Sequence, residues 1–394
     1  MRPEKHFFYK YLAQTSEAPL ALEIESAEGS ELTDIYGKTY IDFISGISVS
    51  HIGHSHPEVV KAVTMQARKY MHLMVYGEYI QSPQVLLGAK LASLLPPQLN
   101  NVYFVNSGAE AIEGAMKLSK RYTGRHEIVS FKNAYHGSTQ GALSLMGNEV
   151  LKAPFRPLLP GVKQLRFNNL DDLTQISHKT ACVIVEVIQG EAGIIEAESV
   201  FLEALSEKCR EKGVLLVFDE IQTGMGRTGK MFGFNNYTVS PDIVTLAKAF
   251  GAGMPLGAFI ASEKMMACLK ANPALGHITT FGGHPVSCAA ALAGLNVLLK
   301  ERLLNDIPQK EAIIRKTLES KSHPVRGKGL YLCLNFKTRQ KNMSVIQKCL
   351  KMGLITDWFL FADNCLRIAP PLNIPNETLE KACLIIKKAM NDKN

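Results

Sequence analysis

The chain has 394 residues, 46% hydrophobic and 20% charged, with a formal net charge of +8, a length that allows two or three domains around a large core. No apolar stretch is long enough to span a bilayer, and Met1-Arg2-Pro3-Glu4-Lys5-His6 lacks a signal-peptide apolar region, so a cytoplasmic protein is expected. The basic residues are dispersed rather than blocked, which argues against nucleic acid or a membrane as partner and leaves a mild field for anionic metabolites.

Short strand-like pieces come first, at Leu20–Ile24 and Thr39–Phe43, and a helix is expected from Pro57, a favoured first position. From about Asn100 short apolar strands alternate with amphipathic helices. Val102–Val105 reads as a strand, and Ser107 with Glu110 forms a capping-box signature for a helix through about Tyr122. Strands at Ile128–Phe131 and Cys182–Val187 follow, then a helix near Val200–Lys212 and a strand at Val214–Phe218 ending in Asp219-Glu220. Strands separated by helices imply a mainly parallel sheet, with ligands beyond the strands' carboxyl ends. After about Gly283 a helix (Val286–Lys300) opens a segment of alternating helix and strand. The expected fold class is α/β, with an N-terminal segment at 1–50, a large domain at 51–285 and a smaller α+β domain at 286–394. The N-terminal segment would contribute to that small domain.

Lys248 is a lone charge in the apolar run Ile243 to Phe250. A buried ammonium is costly unless paired or neutralised, and covalent attachment to a carbonyl cofactor neutralises it. With Asp219 at the end of a buried strand, the pair suits pyridoxal 5'-phosphate, which needs a lysine for its aldehyde and an acid for its pyridine nitrogen. A lysine that caps a helix or snorkels to the surface is the bland alternative. Ser107-Gly108-Ala109 before a helix makes an anion site, or an ordinary cap.

Other signals point elsewhere. Gly224 to Lys230 matches G-x-G-x-x-G and nearly matches a P-loop, but Met231 replaces the magnesium-binding hydroxyl and no amphipathic helix follows. His51, His54 and His56 lack a matching ligand cluster, so a turn is expected and no metal. The eight cysteines show no C-x-x-C spacing and read as reduced core thiols.

Taken in order, several motifs resemble the class III (ornithine/acetylornithine/4-aminobutyrate-type) aminotransferases of fold type I. They are Gly53-His54-Ser55-His56-Pro57, Asn106-Ser107-Gly108-Ala109-Glu110-Ala111, Tyr135-His136-Gly137 and Glu186 to Gly193. Phe218 to Gly229, Leu246-Ala247-Lys248-Ala249, Thr280-Phe281-Gly282-Gly283 and Arg367-Ile368-Ala369-Pro370-Pro371 complete the set. The resemblance implies a pyridoxal-phosphate enzyme exchanging an amino group between an amine or amino acid and a 2-oxo acid. Lys248 would hold the aldehyde and move the proton, and Asp219 would pair with the ring nitrogen. Gln222 would approach the phenolic oxygen, Tyr135 would stack on the ring, and Glu186 would belong to the cofactor site. Ser107, Gly108 and Ala109 would bind the phosphate, and Thr280 would reach it from a second subunit, giving a homodimer. Arg367 resembles the carboxylate-binding arginine and Glu191 the gating glutamate that masks it in one half-reaction.

One departure concerns substrate. Family members acting on acetylornithine, ornithine or 4-aminobutyrate carry arginine where this chain has Ser138. Either another basic residue, such as Arg156 or Arg166, takes over, or the acceptor is a monocarboxylate. Ile47 lies at a variable pocket position of the family. The alternatives left open are an aminomutase or decarboxylase on the same fold, and a nucleotide-dependent enzyme using Gly224 to Lys230.

Overall fold

Apolar runs without polar alternation need cover on both faces. The computed structural model, which describes residues 3–75 and 77–392, provides it. Strands Thr180–Glu186 and Leu215–Asp219 are buried along their whole length. Cys182, Ile184, Leu215 and Val217 share a core with Ile112, Ala115 and Met116 of the helix Gly108–Thr123. Their alternate neighbours Val183, Val185, Leu216 and Phe218 join Phe201, Leu202 and Leu205 of the helix Ser199–Lys212. Each fully buried side chain of this kind contributes about 1.5–3 kcal/mol.

The strands belong to a seven-stranded sheet. Its order is Asn101–Val105, Gly257–Ala261, Ile243–Leu246, Leu215–Asp219, Thr180–Glu186, Glu127–Phe131 and Val162–Leu165. The last five run parallel to one another, while Gly257–Ala261 is antiparallel to both neighbours. An α/β sheet sandwiched by helices is therefore the core architecture, and Asp219 closes one of its parallel strands.

The chain ends build two further sheets. Ile24–Glu28, Glu31–Asp34 and Thr39–Asp42 form an antiparallel meander, extended by Leu354–Ile355 running parallel to Thr39–Asp42. Val325–Lys328, Tyr331–Asn335, Ala362–Ile368 and Trp358–Phe359 form an antiparallel sheet in that order. One hydrophobic cluster joins Phe43, Ile52 and Val59 to Leu332, Leu366 and Ile386, so both ends of the chain share a core. Among the described residues no helix is long and apolar enough to cross a membrane.

Two local expectations change. The first strand runs Ile24–Glu28, not Leu20–Ile24, because Ala21 adopts a left-handed φ of 49° that extended backbone does not allow. At the helix Gly108–Thr123, Ser107 caps as expected, its Oγ accepting from Glu110 N at 3.2 Å. The reciprocal bond shifts by one residue: Glu110 Oε2 accepts from Asn106 N at 2.7 Å and from Asn106 Nδ2 at 2.9 Å.

Candidate active site

Parallel strands leave their terminal side chains at one rim, and here that rim carries charge. Asp219 and Glu186 end adjacent strands and are paired in register. Both are buried, with exposures of 4% and 5%. Asp219 Oδ1 accepts from Ile221 N at 3.0 Å, and Oδ2 lies 2.7 Å from His136 Nδ1. Burial opposes a charge on His136, but the hydrogen bond and negative charge of Asp219 outweigh it and raise the ring's pKa. Glu186 accepts from Tyr135 N and Gly190 N, each at 3.0 Å. Burial nonetheless raises its pKa to about 7.

Lys248 follows the strand Ile243–Leu246 and opens a short 3-10 turn at Lys248–Gly251. Its φ of 50° lies in the left-handed region, uncommon for a side chain of this size and a form of strain found at functional sites. Protein surrounds the amine closely, yet it reaches a cavity of about 600 Å³ that Asp219, Glu186, Tyr135 and Gln222 also line. Desolvation lowers its pKa to about 8; Arg367 adds to that effect, while Glu191, Asp219 and Glu186 oppose it. Among the described residues no hydrogen bond or ion pair engages its Nζ.

Ser107, Gly108 and Ala109 line the same cavity at the start of a 16-residue helix. Free N–H groups and the helix dipole there suit an anion. A β-carbon on Gly108 would lie 2.8 Å from Ile221 Cδ1, so glycine is what allows this close approach.

Gln222 connects the cavity to a second charged centre. Its Nε2 donates to Glu191 Oε1 at 3.4 Å. Glu191 pairs with Arg367, whose Nη2 is 3.2 Å from Oε1 and 3.3 Å from Oε2. Arg367 Nε also donates to Asp357 Oδ1 at 2.8 Å, and its guanidinium lies 4.3 Å from the centre of the Phe359 ring. Burial would penalise both charges. The attraction of Arg367 wins at Glu191 and lowers its pKa, while Glu191 and Asp357 together raise that of Arg367.

Nine of the thirteen residues singled out from sequence, Ser138 among them, line the one cavity, while Glu191 and Arg367 adjoin it through Gln222. Thr280 is exposed and does not line it. Ile47 is also outside the lining, 38% exposed, with a left-handed φ of 63°. Arg156 pairs with Glu149 at 2.6 Å and Arg166 with Asp172 at 2.7 Å; neither lines the cavity. Sequence reasoning gave no role to His136, though the motif Tyr135-His136-Gly137 contained it. It missed Asp357 altogether, since only the hairpin that pairs Trp358 with Leu366 brings that acid to Arg367. Gly224 to Lys230 forms turns followed only by the short 3-10 turn Gly233–Asn236.

The aminotransferase class-III family model matches residues 11–390 of this chain. An acetylornithine aminotransferase of Methanocaldococcus jannaschii is 38% identical over 374 residues, covering 92% of this chain and 91% of its own length. One from Clostridium acetobutylicum is 38% identical over 380 residues, covering 93% and 95%. Among solved structures, a transaminase from a marine Virgibacillus superposes with a TM-score of 0.93 at 27% identity, covering 99% of this chain and 98% of its own. The ornithine aminotransferase of Toxoplasma gondii gives 0.90 at 28% identity, covering 98% and 93%. The chain belongs to the class III aminotransferases.

Proposed function

We propose that this aminotransferase works with pyridoxal phosphate and passes an amino group between an amine or ω-amino acid and a 2-oxo acid with a single carboxylate, in two half-reactions at one site. The observation that carries it is the convergence of Lys248, the Asp219–His136 pair and a helix N-terminus on one cavity, with Arg367 next door. The residues fit the cofactor. A partly neutral amine suits its aldehyde, a held carboxylate its ring nitrogen, and the N–H groups at Gly108 and Ala109 its phosphate. Tyr135 and Gln222 remain for the ring face and the phenolic oxygen, and Glu186 fixes the Tyr135 backbone.

When bound, the cofactor supplies a carbonyl that links to amines and a ring that takes up the electron pair left when a proton leaves the amine carbon. The protein does the rest. With a pKa of about 8, about a tenth of Lys248 is neutral at pH 7, available to hold the aldehyde and then to move the proton. Asp219, fixed by His136 and Ile221 N, keeps a negative charge that favours a protonated ring nitrogen. Arg367 offers its planar fork to an α-carboxylate, and Glu191 occupies that fork when the substrate lacks one.

Substrate class follows from what the cavity contains. Among its described lining residues Lys248 is the only lysine or arginine, Ser138 Oγ lies 3.3 Å from Tyr135 Oη, and Arg156 and Arg166 are engaged elsewhere. A second carboxylate therefore finds no guanidinium among the described lining residues. The visible spectrum of the purified protein tests this: L-alanine should bleach the yellow band faster than L-glutamate does. Faster bleaching by L-glutamate would sink the monocarboxylate assignment.

A homodimer with a shared site is part of the proposal. Exposed Tyr79, Ile80, Leu275 and Phe281 (Ile80 is 95% exposed) support a second copy on that face, near exposed Thr280. Light scattering giving a single-chain mass would refute it. The shared core of the chain ends supports a small domain built from 1–50 and 286–394 beside a large one at 51–285. Eight cysteines outside any disulfide support a reducing, cytoplasmic setting.

A further inference from the structure

Tyr331 is fully buried, and its hydroxyl has no hydrogen-bond partner among the described residues. Leaving such a group unsatisfied is costly, so its surroundings show what it is for. It lies on the strand Tyr331–Asn335, two residues before Cys333, and Cys333 is paired in register with Arg367. Side chains directly opposite, and those two apart, share one face of a sheet. Tyr331 therefore stands on the face that carries Arg367. Its Oη also packs against the backbone of Gly190, the residue before Glu191, where any β-carbon would collide with it. The same β-carbon would lie 3.0 Å from Gln222 Nε2, so phenol and amide flank the root of Glu191 from two sides. Burial and the charges of Glu186, Glu191 and Asp219 hold the proton on the phenol, making it a donor.

Glu191 needs such a donor. It shares Arg367 with Asp357, accepts from Leu360 N at 3.0 Å, and has only a long 3.4 Å bond from Gln222 Nε2 besides. A substrate α-carboxylate that takes Arg367 leaves Glu191 as a buried anion without its ion pair, a costly state. We infer that Tyr331 is a positioning residue that receives the Glu191 carboxylate when an α-carboxylate displaces it from Arg367, an inference that rests on Glu191 acting as the gate.

The test compares Tyr331→Phe, Glu191→Gln and the double variant in the two half-reactions, one with an α-amino acid and one with a simple amine. Stopped-flow absorbance gives kcat/KM for each, and circular dichroism with thermal melting checks the fold. Tyr331→Phe should lower the amino-acid half-reaction roughly 10-fold or more relative to the amine half-reaction, the worth of one hydrogen bond to a charged group. Added to Glu191→Gln, it should cost little more. Calorimetry on the cofactor-free protein gives a readout without turnover: pyruvate should bind more weakly to Tyr331→Phe. Equal effects on both half-reactions, or full additivity with Glu191→Gln, would overturn the role of Tyr331. If Glu191→Gln itself fails to separate the two half-reactions, the gate falls and the role of Tyr331 with it.

Discussion

Replacing Lys248 should make the cofactor-free protein more stable. Free Lys248 keeps a buried ammonium at neutral pH, and desolvation lowers its pKa from 10.5 to about 8. At about 1.4 kcal/mol per decade that gap is about 3 kcal/mol. Because the amine reaches the cavity, water relieves part of the penalty, leaving about 1–3 kcal/mol. Lys248→Met keeps the length of the side chain and removes the charge. Below pH 8 lysine is charged in both folded and unfolded chains, so the wild type carries the whole penalty. Between pH 8 and 10.5 the folded amine is neutral while the unfolded one still binds its proton, and the penalty shrinks; above 10.5 it is gone. The cofactor-free variant should therefore melt a few degrees above wild type at pH 7, and the difference should close as pH rises from 8 to 10.5. Both proteins must be compared at equal concentration, because assembly shifts melting. A variant less stable than wild type at pH 7, or a difference that ignores pH, would refute a desolvated ammonium at Lys248.

Arg367→Leu strands the buried carboxylate of Glu191 and the half-buried one of Asp357. It should destabilise the protein by about 3–5 kcal/mol in denaturant melts and weaken α-amino acids far more than simple amines; equal losses for both would count against Arg367 as the carboxylate fork. His136→Phe removes the 2.7 Å contact with Asp219. It should lower kcat roughly 10- to 100-fold, the worth of a charge-assisted hydrogen bond, with the circular dichroism spectrum retained; unchanged kcat would show that Asp219 needs no such support. Ser107→Ala deletes the N-cap bond to Glu110 N and should cost about 1 kcal/mol in urea unfolding. Unchanged cofactor affinity by titration would separate capping from phosphate binding.

The parts of this fold visible in the sequence are those fixed by local patterning. The buried strands around Val183 and Val217 announced themselves as apolar runs, and Ser107 announced a helix start. Lys248 stood out because a charge interrupts one such run. The first strand shifted because the left-handed turn at Ala21 has no local signal: alanine carries no preference for it. Asp357 stayed hidden for another reason. Its partner lies across a hairpin, and nothing in a single sequence reports which acid a hairpin turns toward a given arginine. Tyr331 carries no signal in the sequence, since the lack of a partner for its hydroxyl is a property of packing alone.

Burial displaces both Glu186 and Lys248 far from their ordinary proton affinities. Glu191 and Asp357 both contact Arg367, and Asp219 contacts His136. Glu186 has only backbone N–H groups against it, and among the described residues no cation forms an ion pair with it. Burial pushes it up, to about 7, and brings Lys248 down, to about 8. From ordinary values of 4.5 and 10.5 the two converge to within about one decade, on the order of 1.4 kcal/mol in place of about 8. Groups of similar proton affinity exchange protons at little cost, which is what a site that moves protons near neutral pH requires. Arg367 and Glu191 both act on the proton affinity of Lys248, in opposite directions. Under the proposed gating a substrate α-carboxylate adds a negative charge beside Arg367 while Glu191 stays in the site, and added negative charge favours the protonated form of Lys248.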